Sequence, residues 1–173
     1  ISLYAATKKS NELMAHTYSH LYHIETIGLR FFTVYGPWGR PDMAIFLFTD
    51  AIINNKPIKV FNNGNLSRDF TYIDDVINGV VKTLIKDSKN SCLYKLYNIG
   101  NGKPVQLLDF IDLLEKEIGI NSIKKMLHMQ PGDVYQTFAD TSSLCHDYDY
   151  KPKFNVYKGT KAFVSWYKSF YNK

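Results

Sequence analysis

An α/β fold is predicted by three features of this 173-residue sequence. Short apolar runs alternate with amphipathic stretches at helical spacing, the order expected of strands and helices layered on each other. The run Leu29-Arg30-Phe31-Phe32-Thr33-Val34-Tyr35 is mostly apolar, as strands buried in parallel sheets are. Clusters of Gly, Pro, Asn and Asp punctuate the runs at Gly36-Pro37-Trp38-Gly39, Asn62-Asn63-Gly64-Asn65 and Gly100-Asn101-Gly102-Lys103-Pro104.

From Ala5 to Tyr22, Leu13, Met14, Tyr18, Leu21 and Tyr22 recur at three-to-four spacing without Gly or Pro, which predicts an amphipathic helix. Gly28 leads into the Leu29 to Tyr35 strand, and the loop GPWGRPDM follows. Ala44 to Asn54 reads as a second helix, Ile58 to Phe61 as a short strand, and Phe70 to Ile73 as extended chain. Asp74 stands where an N-cap would open a helix reaching about Ile85. Leu96 to Ile99 is a further strand, Leu107 to Ile118 a helix stopped by Gly119, Lys125 to Met129 a weaker strand, and Val156 to Phe170 a closing helix. No repeat, low-complexity segment or flexible linker interrupts the series.

Hydrophobic residues make up 45% of the chain and aromatic ones 15%, enough for a real interior and incompatible with disorder. Cys92 and Cys145 lie far apart without metal-ligand spacing, so neither a disulfide framework nor a zinc site is expected, and a reducing cytoplasm fits. No leader or membrane span is expected. The net charge of +5 is spread over scattered lysines, which argues against nucleic acid and suits a smaller anion such as a nucleotide with two phosphates. His16, His20 and His23 fall at i, i+4 and i+7 on the first helix, but no carboxylate at HExxH spacing accompanies them, so no metal site is assigned.

Tyr4 and Lys8 stand one helical turn apart and project from the same face. A phenol, with an ordinary pKa near 10, is a poor base at neutral pH; a neighbouring ammonium favours its ionised form, which can then exchange a proton with a hydroxyl. Taken alone, the spacing far more often describes a solvated Tyr-Lys pair.

Context decides. Tyr4-Ala5-Ala6-Thr7-Lys8-Lys9, Arg30 through Ala44 (RFFTVYGPWGRPDMA), Arg68 through Val76 (RDFTYIDDV), Tyr97-Asn98-Ile99-Gly100-Asn101 and Gln130-Pro131-Gly132-Asp133-Val134 occur in that order. Together they resemble the NAD-dependent epimerase/dehydratase family, the extended short-chain dehydrogenases, and within it the UDP-glucuronate 4-epimerase branch. The resemblance implies the C-terminal part of a Rossmann-like, doubly wound parallel sheet plus a smaller α/β substrate-binding lobe. Residues 1–35 and 76–100 would belong to the NAD-binding part, and 36–75 and 101–173 to the nucleotide-sugar lobe. The family's glycine-rich phosphate loop and catalytic Ser or Thr stand upstream of the tyrosine; the GxG at Gly100 fails the longer pattern. The chain therefore resembles the C-terminal half of an epimerase, expected to be inactive alone.

By resemblance, Tyr4 is the acid/base, and Lys8 lowers its pKa and bonds the nicotinamide ribose. Phe31 and Val34 would lie beside the cofactor, core packing being the alternative, and Thr33 beside the sugar. Arg40 would grip a sugar carboxylate, which a planar guanidinium does bidentately; a surface arginine is the alternative. Arg68 would bind the nucleotide phosphates, with a structural ion pair as the alternative, and Asp133 the uridine ribose. Gln130 stands where other branches carry arginine, and Val60 and Phe61 would flank the uracil or pack in the core. The implied reaction is NAD-dependent C4 inversion of a UDP-sugar, UDP-glucuronate to UDP-galacturonate, by a homodimer joined through the first helix. Another UDP-hexose epimerase, a UDP-glucuronate decarboxylase, and a catalytically silent binding remnant are the competing readings.

Overall fold

The strand expected from Leu29 to Tyr35 is two strands, because the backbone changes partner at Phe32. The Phe32 N–H donates to the Ile99 carbonyl and the next, that of Thr33, to the Asp69 carbonyl, both at 3.2 Å. The first strand, β1 (Thr26–Phe31), therefore pairs in parallel with one neighbour and the second, β2 (Thr33–Tyr35), with another. Gly28 lies inside β1 rather than before it.

The computed structural model describes residues 2–85 and 92–173. Helix α1 (Leu3–Tyr22) precedes β1; after β2 come α2 (Ala44–Ile53), β3 (Ile58–Val60), a 3-10 turn (Phe61–Gly64), β4 (Ser67–Arg68), β5 (Phe70–Tyr72) and α3 (Ile73–Ile85). Then follow β6 (Tyr94–Ile99), β7 (Val105–Gln106), α4 (Leu107–Ile118), β8 (Lys124–Met126), α5 (Ser142–Tyr148) and α6 (Val156–Phe170). Parallel ladders join β1 to β6, β2 to β5 and β3 to β8, while β4 and β7 pair antiparallel.

Helix ends show the local rules at work. Ser2 accepts from the Ala5 N–H at 3.1 Å, so α1 begins at Leu3, two residues before the apolar pattern predicts, and Tyr4 falls in its first turn. Asp74 is not the cap of α3, which starts at Ile73; Asp74 and Asp75 occupy its first turn, where the helix dipole favours negative charge. Asp75 is also buried and accepts from the N–H groups of Lys153 and Phe154, tying α3 to the segment before α6. Gly119 ends α4 at φ 85°, a left-handed cap that favours glycine. The predicted spans of α4 and α6 match. Phe61 belongs to the 3-10 turn rather than β3, and β8 is shorter than expected and begins at Lys124. α5, β4 and β7 escape the sequence reading because two to seven residues are too few to display a period.

Two buried clusters form among the described residues. The larger joins Tyr35, Phe70 and Tyr72 of β2 and β5 to α2, α4 and α6, with Phe70 and Phe110 stacked at 4.1 Å and 13°. The smaller joins Val76, Tyr97 and Ile99 to Leu144, Tyr148 and Tyr150, so α5 covers β6. Asp147 on α5 reinforces that contact by accepting from Lys95 and Tyr97, each at 2.6 Å. These bonds, from Lys95 first, hold its carboxyl well below the usual carboxylate range.

Candidate active site

α1 lies against β1 and β6 through few contacts. Its single buried residue is Ser19, which donates to the Leu93 carbonyl at 3.1 Å. Glu12 makes the main connection. Its carboxylate accepts from Arg30 on β1 through Nε at 2.6 Å and Nη2 at 2.8 Å, and from Lys9 at 2.8 Å. This two-point pairing with Arg30, helped by Lys9, draws the Glu12 pKa down to about 2. Tyr94 on β6 donates to the Glu12 carbonyl from the other strand at 2.9 Å.

That fastening places Tyr4 and Lys8 across a cavity from residues 28–31 of β1. Lys8 Nζ stands 5.4 Å from the Tyr4 ring centroid, and both residues line an open cavity of about 500 Å3 together with Gly28, Arg30 and Phe31. Tyr4 is 71% exposed and Phe31 53%. Burial pushes the phenols of Tyr35, Tyr150 and Tyr167 up from their ordinary value, which makes these three poor partners in proton exchange.

A second group of candidates gathers where β4 runs beside residues 133–137, Ser67 exchanging backbone hydrogen bonds with Tyr135 and Thr137. Arg68 Nη2 donates to Asp133 at 2.6 Å, so two residues chosen separately from sequence are partners, and Arg68 Nη1 also donates to the Ser67 carbonyl at 2.9 Å. Gln130 closes the same turn, its carbonyl accepting from the Asp133 N–H at 3.2 Å. Thr33 and Val34 on β2 face Phe70 and Thr71 of β5, the strand that follows Arg68. Val34 packs against the smaller core, and Val60 has no exposed surface, which is the packing alternative for both; Phe61 is half-buried. Arg40 is exposed in the GPWGRP loop, 3.5 Å from Asp42. His16 packs edge-on to Tyr94 at 4.9 Å, and among the described residues no group of three or more His, Cys, Asp or Glu could hold a metal ion.

Asp69 is the residue that sequence reasoning undervalued. It has no exposed surface, and its carboxylate accepts from the N–H groups of Asn101 at 2.8 Å, Gly102 at 2.9 Å and Ala139 at 3.0 Å and from the Thr71 hydroxyl at 3.3 Å. Its neighbour Arg68 thus projects from a point fixed by three segments. An acidic residue inside an aromatic strand is the available signal, since such a carboxylate needs donors to be buried. Glu12 had a signal too: with Tyr4 and Lys8 it completes an i, i+4, i+8 face.

Residues 1–100 match the family model of the NAD dependent epimerase/dehydratase family. The chain belongs to that family. Among relatives, Protein CapI of Staphylococcus aureus is 49% identical over 187 residues, covering 100% of this chain and 56% of CapI. A probable UDP-glucuronate 4-epimerase of Rhizobium meliloti is 45% identical, covering 100% and 55%. The solved UDP-glucuronic acid 4-epimerase from Bacillus cereus, in complex with UDP-glucuronic acid and NAD, superposes with a TM-score of 0.91 at 39% identity, over 97% of this chain and 53% of that one. The chain thus spans about half the length of the relatives it matches, and its fold is that of the Rossmann-like family members. No helix among the described residues is long and apolar enough to cross a membrane.

Proposed function

We propose that this chain carries the acid/base pair and the nucleotide-sugar lobe of an NAD-dependent UDP-sugar 4-epimerase whose substrate is UDP-glucuronate and product UDP-galacturonate. The observation that carries the reading is the placement of the Lys8 ammonium 5.4 Å from the Tyr4 ring on the wall of an open cavity. The donor set suits a nicotinamide riboside: Lys8 and Tyr4 offer an ammonium and a phenol to ribose hydroxyls, and Phe31 offers an apolar ring. A bound NAD would accept the hydride of the sugar C4 and return it to the opposite face, for no net redox change.

The chain's own residues do the rest. Lys8 stabilises the negative charge of Tyr4 as a phenolate, which takes the C4 hydroxyl proton, holds it as a neutral phenol and later gives it back. Arg68 and Asp133, linked at 2.6 Å, offer the diphosphate a guanidinium and the ribose a carboxylate. Arg40 holds the sugar carboxylate away from the alignment that would release carbon dioxide from a 4-keto acid. The first helix, with Leu13, Met14, Tyr18 and Leu21 exposed, supplies the dimer contact in this reading. Residues 1–35 and 76–100 serve the cofactor and the remainder the sugar nucleotide.

The test joins the N-terminal part of the Bacillus cereus enzyme in front of this chain and analyses products from a panel of UDP-sugars. Conversion of UDP-glucuronate to UDP-galacturonate is expected, with Arg40→Ala losing glucuronate turnover far more than NAD retention. Turnover confined to UDP-glucose or UDP-N-acetylhexosamines would contradict the substrate assignment. Epimerisation by the 173-residue chain alone would contradict its dependence on a nucleotide-binding half.

A further inference from the structure

We infer that Trp38, seated on the end of α6, is the positioning residue that fixes the Arg40 loop and so sets selection for a carboxylate-bearing sugar. The inference rests on the role proposed above for Arg40. Three observations about the loop lead to it.

The first is backbone conformation. Trp38 has φ 64°, in the left-handed region that a bulky L-residue occupies only where its surroundings over-determine it. Two residues earlier Gly36 has φ 146°, and a Cβ there would lie 2.6 Å from the Ile73 side chain, so glycine allows the close turn and contributes no hold of its own.

The second is what supplies the hold. The Trp38 ring lies 5.4 Å from that of Trp166 and 5.0 Å from that of Phe170, the latter edge-on at 76°. Those two residues are one turn apart on α6 and stacked on each other at 5.5 Å and 22°. α6 is anchored in the larger core by Phe163, which has no exposed surface, and by Tyr167, whose hydroxyl donates to Asp50 on α2 at 2.8 Å. Trp38 is nevertheless 74% exposed. Burial therefore does not account for an indole here; contact with one specific ring pair does.

The third is how Arg40 is connected. The Gly39 N–H donates to the Gly36 carbonyl at 3.2 Å and the Met43 N–H to the Arg40 carbonyl at 3.1 Å, so the backbone between Trp38 and α2 is a pair of tight turns. The guanidinium, by contrast, has among the described residues only a 3.5 Å approach to the exposed Asp42 and a contact with Met43 Sδ at 3.3 Å. A fixed backbone with a weakly engaged charged head is preorganised for an incoming carboxylate, which replaces Asp42 at little cost. Removing the ring contact releases the backbone, and the preference for the carboxylate falls with it.

The experiment titrates the 173-residue chain by calorimetry with UDP, UDP-glucose and UDP-glucuronate, for the wild type and for Trp38→Ala, Trp38→Phe, Phe170→Ala and Arg40→Ala. Trp38→Ala and Phe170→Ala should reduce the glucuronate-over-glucose preference by about five- to tenfold, the scale of an aromatic pair. UDP affinity should stay within about twofold, and Trp38→Phe should keep the preference, which a general loss of structure would not do. In parallel, amide exchange at Gly39 and Met43 should quicken in Trp38→Ala and Phe170→Ala. An unchanged preference in those two variants, or unchanged exchange at the two amides, overturns the inference. Arg40→Ala separates the two levels: if it leaves the preference intact, the carboxylate role of Arg40 fails, while the exchange rates alone still decide whether Trp38 holds the loop.

Discussion

The lobe built on β2, β5 and the helices α2, α4 and α6 differs sharply from the α1 layer that carries Tyr4 and Lys8, the proposed acid/base pair. In the lobe, Phe110, Ile111, Leu114 and Phe163 have no exposed surface, and the buried Asp69 is fully supplied with donors. On α1, Leu3 is 83% exposed, and Leu13, Tyr18 and Leu21 are each 61% exposed. The lobe closes its own core; α1 is held by a few polar fastenings and presents its apolar residues outward. The difference teaches that the lobe around β2 and β5 closes a core of its own, whereas the layer bearing Tyr4 and Lys8 leaves its apolar residues exposed.

Four substitutions sharpen the contrast, taken from the largest effect to the smallest. Asp69→Ala strands three N–H groups around a fully buried carboxylate position and should lower the stability of the lobe by roughly 3–6 kcal/mol, read as a shift in the urea midpoint. Phe110→Ala removes a ring packed against Phe70 at 4.1 Å and should cost about 3–5 kcal/mol by the same measurement. Glu12→Gln should leave the urea midpoint of the lobe in place but ease local opening of α1 by about 1–2 kcal/mol, seen as faster amide exchange between residues 3 and 22. Leu13→Ala, on the exposed side of the same helix, should change stability by less than about 0.5 kcal/mol. A Leu13 effect as large as that of Phe110 would erase the distinction.

Glu12 adds a pH test of the fastening. Its pKa is drawn down from 4.5 to about 2 by Arg30 and Lys9, so the folded form binds that proton less readily than the unfolded form does. The stabilisation is therefore complete above about 4.5 and is lost as the pH falls toward 2. Amide protection of α1 should decline through that window in the wild type and lack this component in Glu12→Gln. Protection in the two proteins that titrates identically would mean that the ion pair does not hold the helix.

Long periodic segments were legible from sequence alone. The apolar spacing of α4 and α6 and the stop at Gly119 gave both helices their observed bounds, because local capping and an amphipathic face decide them. The split of the central strand at Phe32 was not legible, since it depends on which strand lies opposite and not on the composition of the run. The Tyr4–Lys8 pairing followed directly from helical geometry. The Arg68–Asp133 partnership spans 65 residues and could not follow from local spacing; each residue was chosen for its motif, and only the turn that brings β4 against 133–136 unites them. Asp69 was passed over because its role lies in three distant backbone N–H groups, which carry no side-chain signature.

The most direct measurement compares Tyr4 and Tyr4→Phe in the joined protein, following UDP-galacturonate formation alongside UDP-glucuronate affinity. Loss of the phenol should slow turnover by about a hundredfold or more while leaving affinity within a few-fold, since the proton exchange is removed and the sugar-nucleotide lobe is untouched. Equal turnover by the phenylalanine variant would contradict the assignment of Tyr4 as the acid/base.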